Sequence, residues 1–205
     1  MNQLEKRVID ISYKHKLSHI SSCLTAVNVI DKIFEIKKPE DPFVLSAGHA
    51  GLALYVVLEK REGKDAEQLL LKHGVHPNRD EADGIHVSTG SLGQGLPIVV
   101  GMALANPSKT YYVLLTDGEC AEGSIWEALR IAGDFKLQNL RVAVNANGTS
   151  AYKNTDVDWL DLVLQHFYPT MMVKTNLFAL PSWLQGVHGH YVVLDEEKYK
   201  ELTRT

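Results

Sequence analysis

Asp117-Gly118 closes one apolar run of the chain, and Asn147 closes the next, 30 positions later. A carboxylate, an amide oxygen and a nearby main-chain carbonyl, that of Thr149, are hard ligands. Such a set suits Mg²⁺ (or Ca²⁺), with phosphate oxygens able to complete the shell. Gly118 would let the backbone approach a phosphate closely. The same residues also have a plainer reading, in which Asp117 caps the helix that follows and Asn147 serves a turn.

The elements that must position these groups are legible on either side of them. Thr110 to Thr116 is too short for a core helix and rich in β-formers, and it stops at Asp-Gly, so it reads as a buried strand. Ser124 to Phe135 carries Ile125, Trp126, Leu129, Ala132 and Phe135 at helical spacing. Leu140 to Val144 is a second strand, ending in the polar turn Asn145-Ala-Asn-Gly-Thr149. A unit of this length has the dimensions of a right-handed βαβ crossover, so the two strands are parallel and their carboxyl ends share one edge. Ligand crevices of open α/β sheets lie at that edge.

Upstream, residues 3–36 read as helical with a break near Ser18–Ser22, and Pro39 and Pro42 end the segment. Phe43 to Leu45 is a short buried strand running into Ser46-Ala-Gly-His49. Ala50 to Glu62 is apolar on nearly all sides and reads as a largely buried helix. A short helix, Asp65 to Lys72, precedes a loop from His73 to Ser91, long enough to suggest a functional role. The loop leads into Gly90-Ser-Leu-Gly-Gln-Gly95 and a helix of small residues, Leu96 to Ala105. After Asn147 come a helix (Val157 to Gln165), a strand (Met171 to Thr175), an irregular stretch and a charged terminal helix (Glu196 to Thr203). Strands alternating with helices predict a mostly parallel sheet covered on both faces.

The 205 residues, 45% of them hydrophobic, can bury a full core, and one compact α/β domain over 1–205 is expected. Twenty-one basic against twenty-five acidic residues argue against nucleic acid or an anionic membrane as the main partner. Cys23 and Cys120 are far apart in sequence and suggest no disulfide framework, which fits a reducing cytoplasm. The N-terminus lacks the apolar stretch of a secretory signal, and the longest apolar region, Leu92 to Ala105, is too short to span a bilayer.

The Asp117-to-Asn147 unit resembles the thiamine-diphosphate motif, Gly-Asp-Gly followed about thirty residues later by Asn, with Thr116 standing where the first glycine usually sits. Other segments narrow the likeness to the N-terminal, diphosphate-binding half of transketolase. Leu17-Ser-His-Ile-Ser-Ser22 resembles the family's Ser-Gly-His-Pro-Gly, and Ser46-Ala-Gly-His to Leu54-Tyr55 resembles its Ser-x-Gly-His-x-x-x-x-Leu-Tyr. His76-Pro77, with Val87-Ser-Thr-Gly-Ser-Leu-Gly-Gln-Gly95 behind it, is similar to the family's His-Pro and Thr-Thr-Gly-Pro-Leu-Gly-Gln-Gly. Asp117-Gly-Glu-Cys-Ala-Glu-Gly123 matches Asp-Gly-x-x-x-Glu-Gly. The glycines of 90–95 are in the wrong order for a dinucleotide turn and lack the Lys-Ser/Thr of a P-loop.

The resemblance implies a three-layer α/β/α thiamine-diphosphate-binding fold and assigns roles. His49 would touch the coenzyme diphosphate, while His19 and His76 would face the sugar. Gly90 and Leu92 would present backbone to the coenzyme, Leu92 at its aminopyrimidine ring, and Glu122 would sit at an interface between subunits. Asp117, Asn147 and Thr149 would hold the divalent ion. Trp183 to Gly189 resembles the family's Trp-His-Gly region, which makes His188 the candidate for a further diphosphate contact, with His190 as the alternative. Taken singly, each histidine is an ordinary surface or packed residue; the motif context gives it a site role, which suits a group titrating near neutrality.

Two departures follow Asn147. The chain passes almost directly from Trp159 to Tyr168-Pro-Thr-Met-Met-Val-Lys-Thr175, like the family's later Pro-Thr-x-Ile-x-x-Lys-Thr strand, so a sheet element is expected to be missing. Asn176-Leu-Phe-Ala-Leu180 also replaces the family's Gly-Lys-Gly turn. Few residues remain for the pyrimidine-binding module, whose glutamate stabilises the reactive coenzyme tautomer in the family. The expectation is therefore the N-terminal subunit of a split transketolase, self-associating and active only with a transketolase C-terminal (pyrimidine-module) subunit. It would move a two-carbon ketol unit between sugars or sugar phosphates. The rivals are a non-catalytic coenzyme-binding or assembly module, and half of a deoxyxylulose-phosphate synthase or branched-sugar enzyme.

Overall fold

A computed structural model describes residues 1–150, 152–175 and 180–204. Helix α1 (Gln3–His15) starts on a capping box, in which the Asn2 side chain accepts from the Glu5 amide and Glu5 accepts from Asn2 in return. Lys16 then turns into the left-handed region, and α2 (Ile20–Ile36) begins directly after His19, itself left-handed at φ 60°. The expected break thus falls on 16–19, slightly earlier than Ser18–Ser22.

Strand β1 (Phe43–Leu45) leads into α3 (Gly51–Glu62), α4 (Ala66–His73) and α5 (Gly95–Ala105). Next come β2 (Tyr111–Thr116), α6 (Gly123–Asp134), β3 (Leu140–Ala146), α7 (Val157–Phe167) and β4 (Thr170–Lys174). A four-residue helix α8 (Gly186–Gly189) and α9 (Glu196–Thr203) end the described chain. The long loop after α4 contains only a 3₁₀ turn, Glu81–Asp83, and an Asp80–Ile85 bridge.

The four strands lie in the order β1-β2-β3-β4, all parallel. Side-chain alternation along each strand explains the three layers. Phe43, Leu45, Leu114 and Ala143 point into one core with α1 to α4 and α9; Val44, Val113, Leu115, Val142 and Val144 point into the other, with α5, α6 and α7. Helix α3 is buried along Leu52–Leu58, Tyr55 included, as its apolar circumference predicts. Phe135 differs from expectation. It follows the last turn of α6 and is 65% exposed, while Ile125, Leu129 and Ala132 are fully buried.

Strand β3 also runs two residues further than expected, through Asn145 and Ala146. Asn145 pairs with Thr116 on one side and Val173 on the other. Its side chain is fully buried yet satisfied: Nδ2 donates to Thr25 Oγ1 (3.0 Å), and Oδ1 accepts from Thr175 Oγ1 (2.8 Å). Among the described residues the sheet has four strands, with β3 and β4 joined through α7. The turn expected at 176–180 lies mostly outside the described residues, and no described helix is long and apolar enough to cross a membrane.

Candidate functional site

Because every strand runs the same way, the carboxyl ends of β1 to β4 share one edge, and Ser46, His49, Asp117, Asn147 and Thr149 lie on the turns leaving it. Leu45 pairs with Leu114, Thr116 with Asn145, and Ala146 with Lys174, so Ser46, Asp117, Asn147 and Thr175 are each set just beyond the last rungs.

Asp117 is 2% exposed. Its Oδ2 accepts from the Gly148 amide at 2.8 Å, and Oδ1 has no partner. Burial pushes this carboxyl above the usual range despite the amides around it. Asn147 Oδ1 accepts from the Thr149 amide at 2.9 Å, which folds 147–149 into a tight turn. A Cβ on Gly118 would meet the Ser150 backbone at 3.0 Å and the Thr149 carbonyl at 3.6 Å, so any side chain here would push the two turns apart by a few tenths of an ångström. A buried carboxylate oxygen without a partner costs free energy, and a bound cation would offset that cost. Asp117, Asn147 and the Thr149 carbonyl are thus a donor set that fits a hard divalent ion.

Thr116 occupies the place of the missing glycine without conflict. Its Oγ1 accepts the amide of Glu119 at 3.2 Å, closing the 3₁₀ turn Glu119–Ala121.

A histidine cluster stands at the turn after β1 and the start of α2. The ring centroids of His19 and His49 are 5.4 Å apart, His19 and His190 are 4.4 Å apart edge to face, and His49 and His190 are 5.4 Å apart. Tyr191 packs on His190 at 5.0 Å. Burial, reinforced by the neighbouring imidazoles, holds His49 down at about 3 and His19 at about 4, and burial lowers His190 as well. His76 borders the cluster, and a Cβ on Gly90 would come within 3.0 Å of its ring, with Gly90 at φ 149°. Burial keeps His19, His49 and His190 neutral at pH 7, so each of these three offers one N–H donor and one acceptor nitrogen.

Of the two C-terminal candidates, His188 is exposed and has no ring contact with the cluster; His190 has two. Leu92 is half-buried on the glycine loop, and Glu122 is exposed at the N-terminus of α6, with its Cβ beside Gly93. Sequence reasoning misses Glu119. It is wholly buried, and burial raises its carboxyl. It occupies a variable position of Asp-Gly-x-x-x-Glu-Gly, so the motif carries no signal for it.

The family profile described as "Transketolase, thiamine diphosphate binding domain" matches residues 37–171. This chain belongs to the transketolase family. Among transketolase relatives, it is 38% identical over 162 residues to one of the subunits of the apulose-4-phosphate transketolase of Phocaeicola vulgatus, covering 69% of this chain and 57% of that one. It is 35% identical over 209 residues to the 6-deoxy-6-sulfo-D-fructose transketolase subunit SqwG of Clostridium sp. (strain MSTE9), covering 92% and 73%. A crystal structure of a point-mutant transketolase from Pichia stipitis superposes with a TM-score of 0.76 at 24% identity, over 98% of this chain and 39% of that one. That likeness establishes the transketolase fold. The chain spans little more than half of the first relative's length. The matched segment contains His49, His76, Gly90, Leu92, Gly118 and Glu122 as well as the three candidate metal ligands; His19, His188 and His190 lie outside it.

Proposed function

We propose that this chain is the diphosphate-binding subunit of a split transketolase, working with a separate pyrimidine-module subunit and self-associating through the Glu122 side of α6. The observation that carries the reading is the buried, unpartnered Asp117 Oδ1, on the same sheet edge as the histidine cluster. Two similar proteins are named as transketolase subunits, which supports division of the enzyme between chains.

In this reading Asp117, Asn147 and the Thr149 carbonyl hold Mg²⁺, and Gly118 leaves room for the diphosphate. When bound, thiamine diphosphate supplies the acidic thiazolium carbon that carries a two-carbon ketol unit between sugars. Neutral His49 donates to a diphosphate oxygen. His19 and His76 donate to or accept from substrate hydroxyls, and His190 takes the diphosphate contact expected of His188. The neutrality of His19 matters, because a neutral imidazole can take up a hydroxyl proton that an imidazolium cannot. The names of both relatives contain sugars bearing an anionic group, which favours a sugar phosphate or a similar anionic sugar as substrate. The setting is the cytoplasm.

Calorimetric titration with thiamine diphosphate and Mg²⁺, on the chain alone and then with the candidate partner, tests the proposal. Weak binding alone, tighter binding with the partner and ketol transfer only by the pair are expected. Turnover by the pure chain would refute the split. Binding without turnover by the pair would favour a non-catalytic module, and turnover with pyruvate as donor would favour a deoxyxylulose-phosphate synthase half.

A further inference from the structure

Glu119 is wholly buried at the centre of three turns, and no step above uses it. Its Oε1 accepts two hydrogen bonds from segments remote in sequence. One comes from Ser46 Oγ at 2.6 Å and the other from the Gly93 amide at 2.9 Å. Its own amide is held by Thr116 Oγ1. Ser46 opens the turn that carries His49, and its amide donates to the Leu114 carbonyl at 3.0 Å. Gly93 follows Leu92 on the glycine loop, sits at φ 81°, and offers its carbonyl to Ser124 Oγ at 2.8 Å.

The two loops bridged by this carboxyl pack backbone against backbone. A Cβ on Gly48 would fall 2.6 Å from the Gly90 nitrogen, and one on Gly95 would fall 2.4 Å from Ser46 Oγ. Contacts this close bring buried hydrogen-bonding groups together, and the Ser46 hydroxyl and Gly93 amide are satisfied by one oxygen. Removing that acceptor would strand both groups, and the loops could regain satisfaction only by moving apart to admit water.

We propose that Glu119 is a positioning residue that latches the Ser46–His49 turn to the Gly90–Gly95 loop, so that the diphosphate side and the ring side of the crevice are set before the coenzyme binds. The coenzyme part of this inference rests on the thiamine diphosphate reading; the latch itself does not.

Two near-isosteric variants separate acceptor from packing. Glu119→Gln keeps an acceptor oxygen for both donors, whereas Glu119→Met fills the same volume with none. Hydrogen exchange of the full chain without coenzyme is followed in peptides covering 46–50 and 90–95, with β2 as internal reference. In Glu119→Met, exchange in both peptides should be at least about tenfold faster while β2 is unchanged, and Glu119→Gln should stay close to wild type. Thiamine diphosphate with Mg²⁺ should then bind about tenfold more weakly to Glu119→Met and within about threefold of wild type to Glu119→Gln. Equal exchange in Met and wild type, or equal losses in Gln and Met, would overturn the latch. If Glu119→Met does not fold, Ser46→Ala takes its place, with faster exchange expected in 46–50 and protection retained at 90–95; no change in either peptide would overturn the latch. Absence of coenzyme binding by wild type would count against the thiamine diphosphate reading, while the exchange comparison would still decide the latch.

Discussion

The backbone amide of His19 donates to the carbonyl of His190 at 3.1 Å, and the two rings meet edge to face. This pair joins the turn before α2 to the segment after α8, placing a residue from the far end of the chain beside His19.

Replacing His190 should therefore matter more than replacing His188. His190→Ala is expected to weaken coenzyme or sugar binding by the partnered protein about tenfold, and His188→Ala to change it less than about twofold. Titration calorimetry on both variants checks this, and a larger effect at His188 would return the role to that residue.

The histidine cluster also gives stability a pH dependence of known sign. His19 and His49 protonate near 6.5 when unfolded but only at about 4 and about 3 when folded, so the unfolded state binds more protons in between. Their contribution is complete above pH 6.5 and is lost as pH falls from there through about 4 for His19 and about 3 for His49. His76, His190 and Tyr191 border the pair. A loss of about 2 kcal/mol between pH 7 and pH 5 is expected in urea denaturation, allowing for solvent around the half-buried rings. His49→Asn should remove a large part of it, and an unchanged pH slope would contradict the assignment.

Asp117 sets ligand binding against stability. Asp117→Asn keeps an acceptor for the Gly148 amide and removes the buried, unpaired charge. The variant should match or exceed wild-type stability without ligand, by up to about 1 kcal/mol, while losing Mg²⁺-dependent coenzyme binding. Thermal melts with and without Mg²⁺ and thiamine diphosphate test both halves; unchanged Mg²⁺ dependence would exclude Asp117 as a ligand.

Asn145→Ala should destabilise the fold by about 1–3 kcal/mol, because the buried Thr25 hydroxyl and that of Thr175 lose their shared partner. Chemical denaturation measures the change, and a loss below about 0.5 kcal/mol would mean that water replaces the amide.

Much of the architecture is local and therefore legible in the sequence. The alternation of Val113, Leu114 and Leu115 between two cores and the apolar circumference of α3 are short-range properties that fix an element's type whatever it packs against. Asp117 and Asn147 can likewise be placed on one edge, since a parallel crossover sends both strand ends the same way. Phe135 departs from expectation because helical spacing continues past the turn at which α6 stops.

By itself, then, the order of residues determined the strands, the helices and the motifs that each turn carries. Only the tertiary structure brought His190, and not His188, against His19 and His49, kept Asn145 in β3 and buried Glu119 between Ser46 and Gly93. Each of those outcomes depends on a hydrogen bond or ring contact between segments far apart in sequence. Periodicity and spacing constrain the path of the chain over a few residues, whereas the partner available to a buried polar group is set by the packing of whole elements.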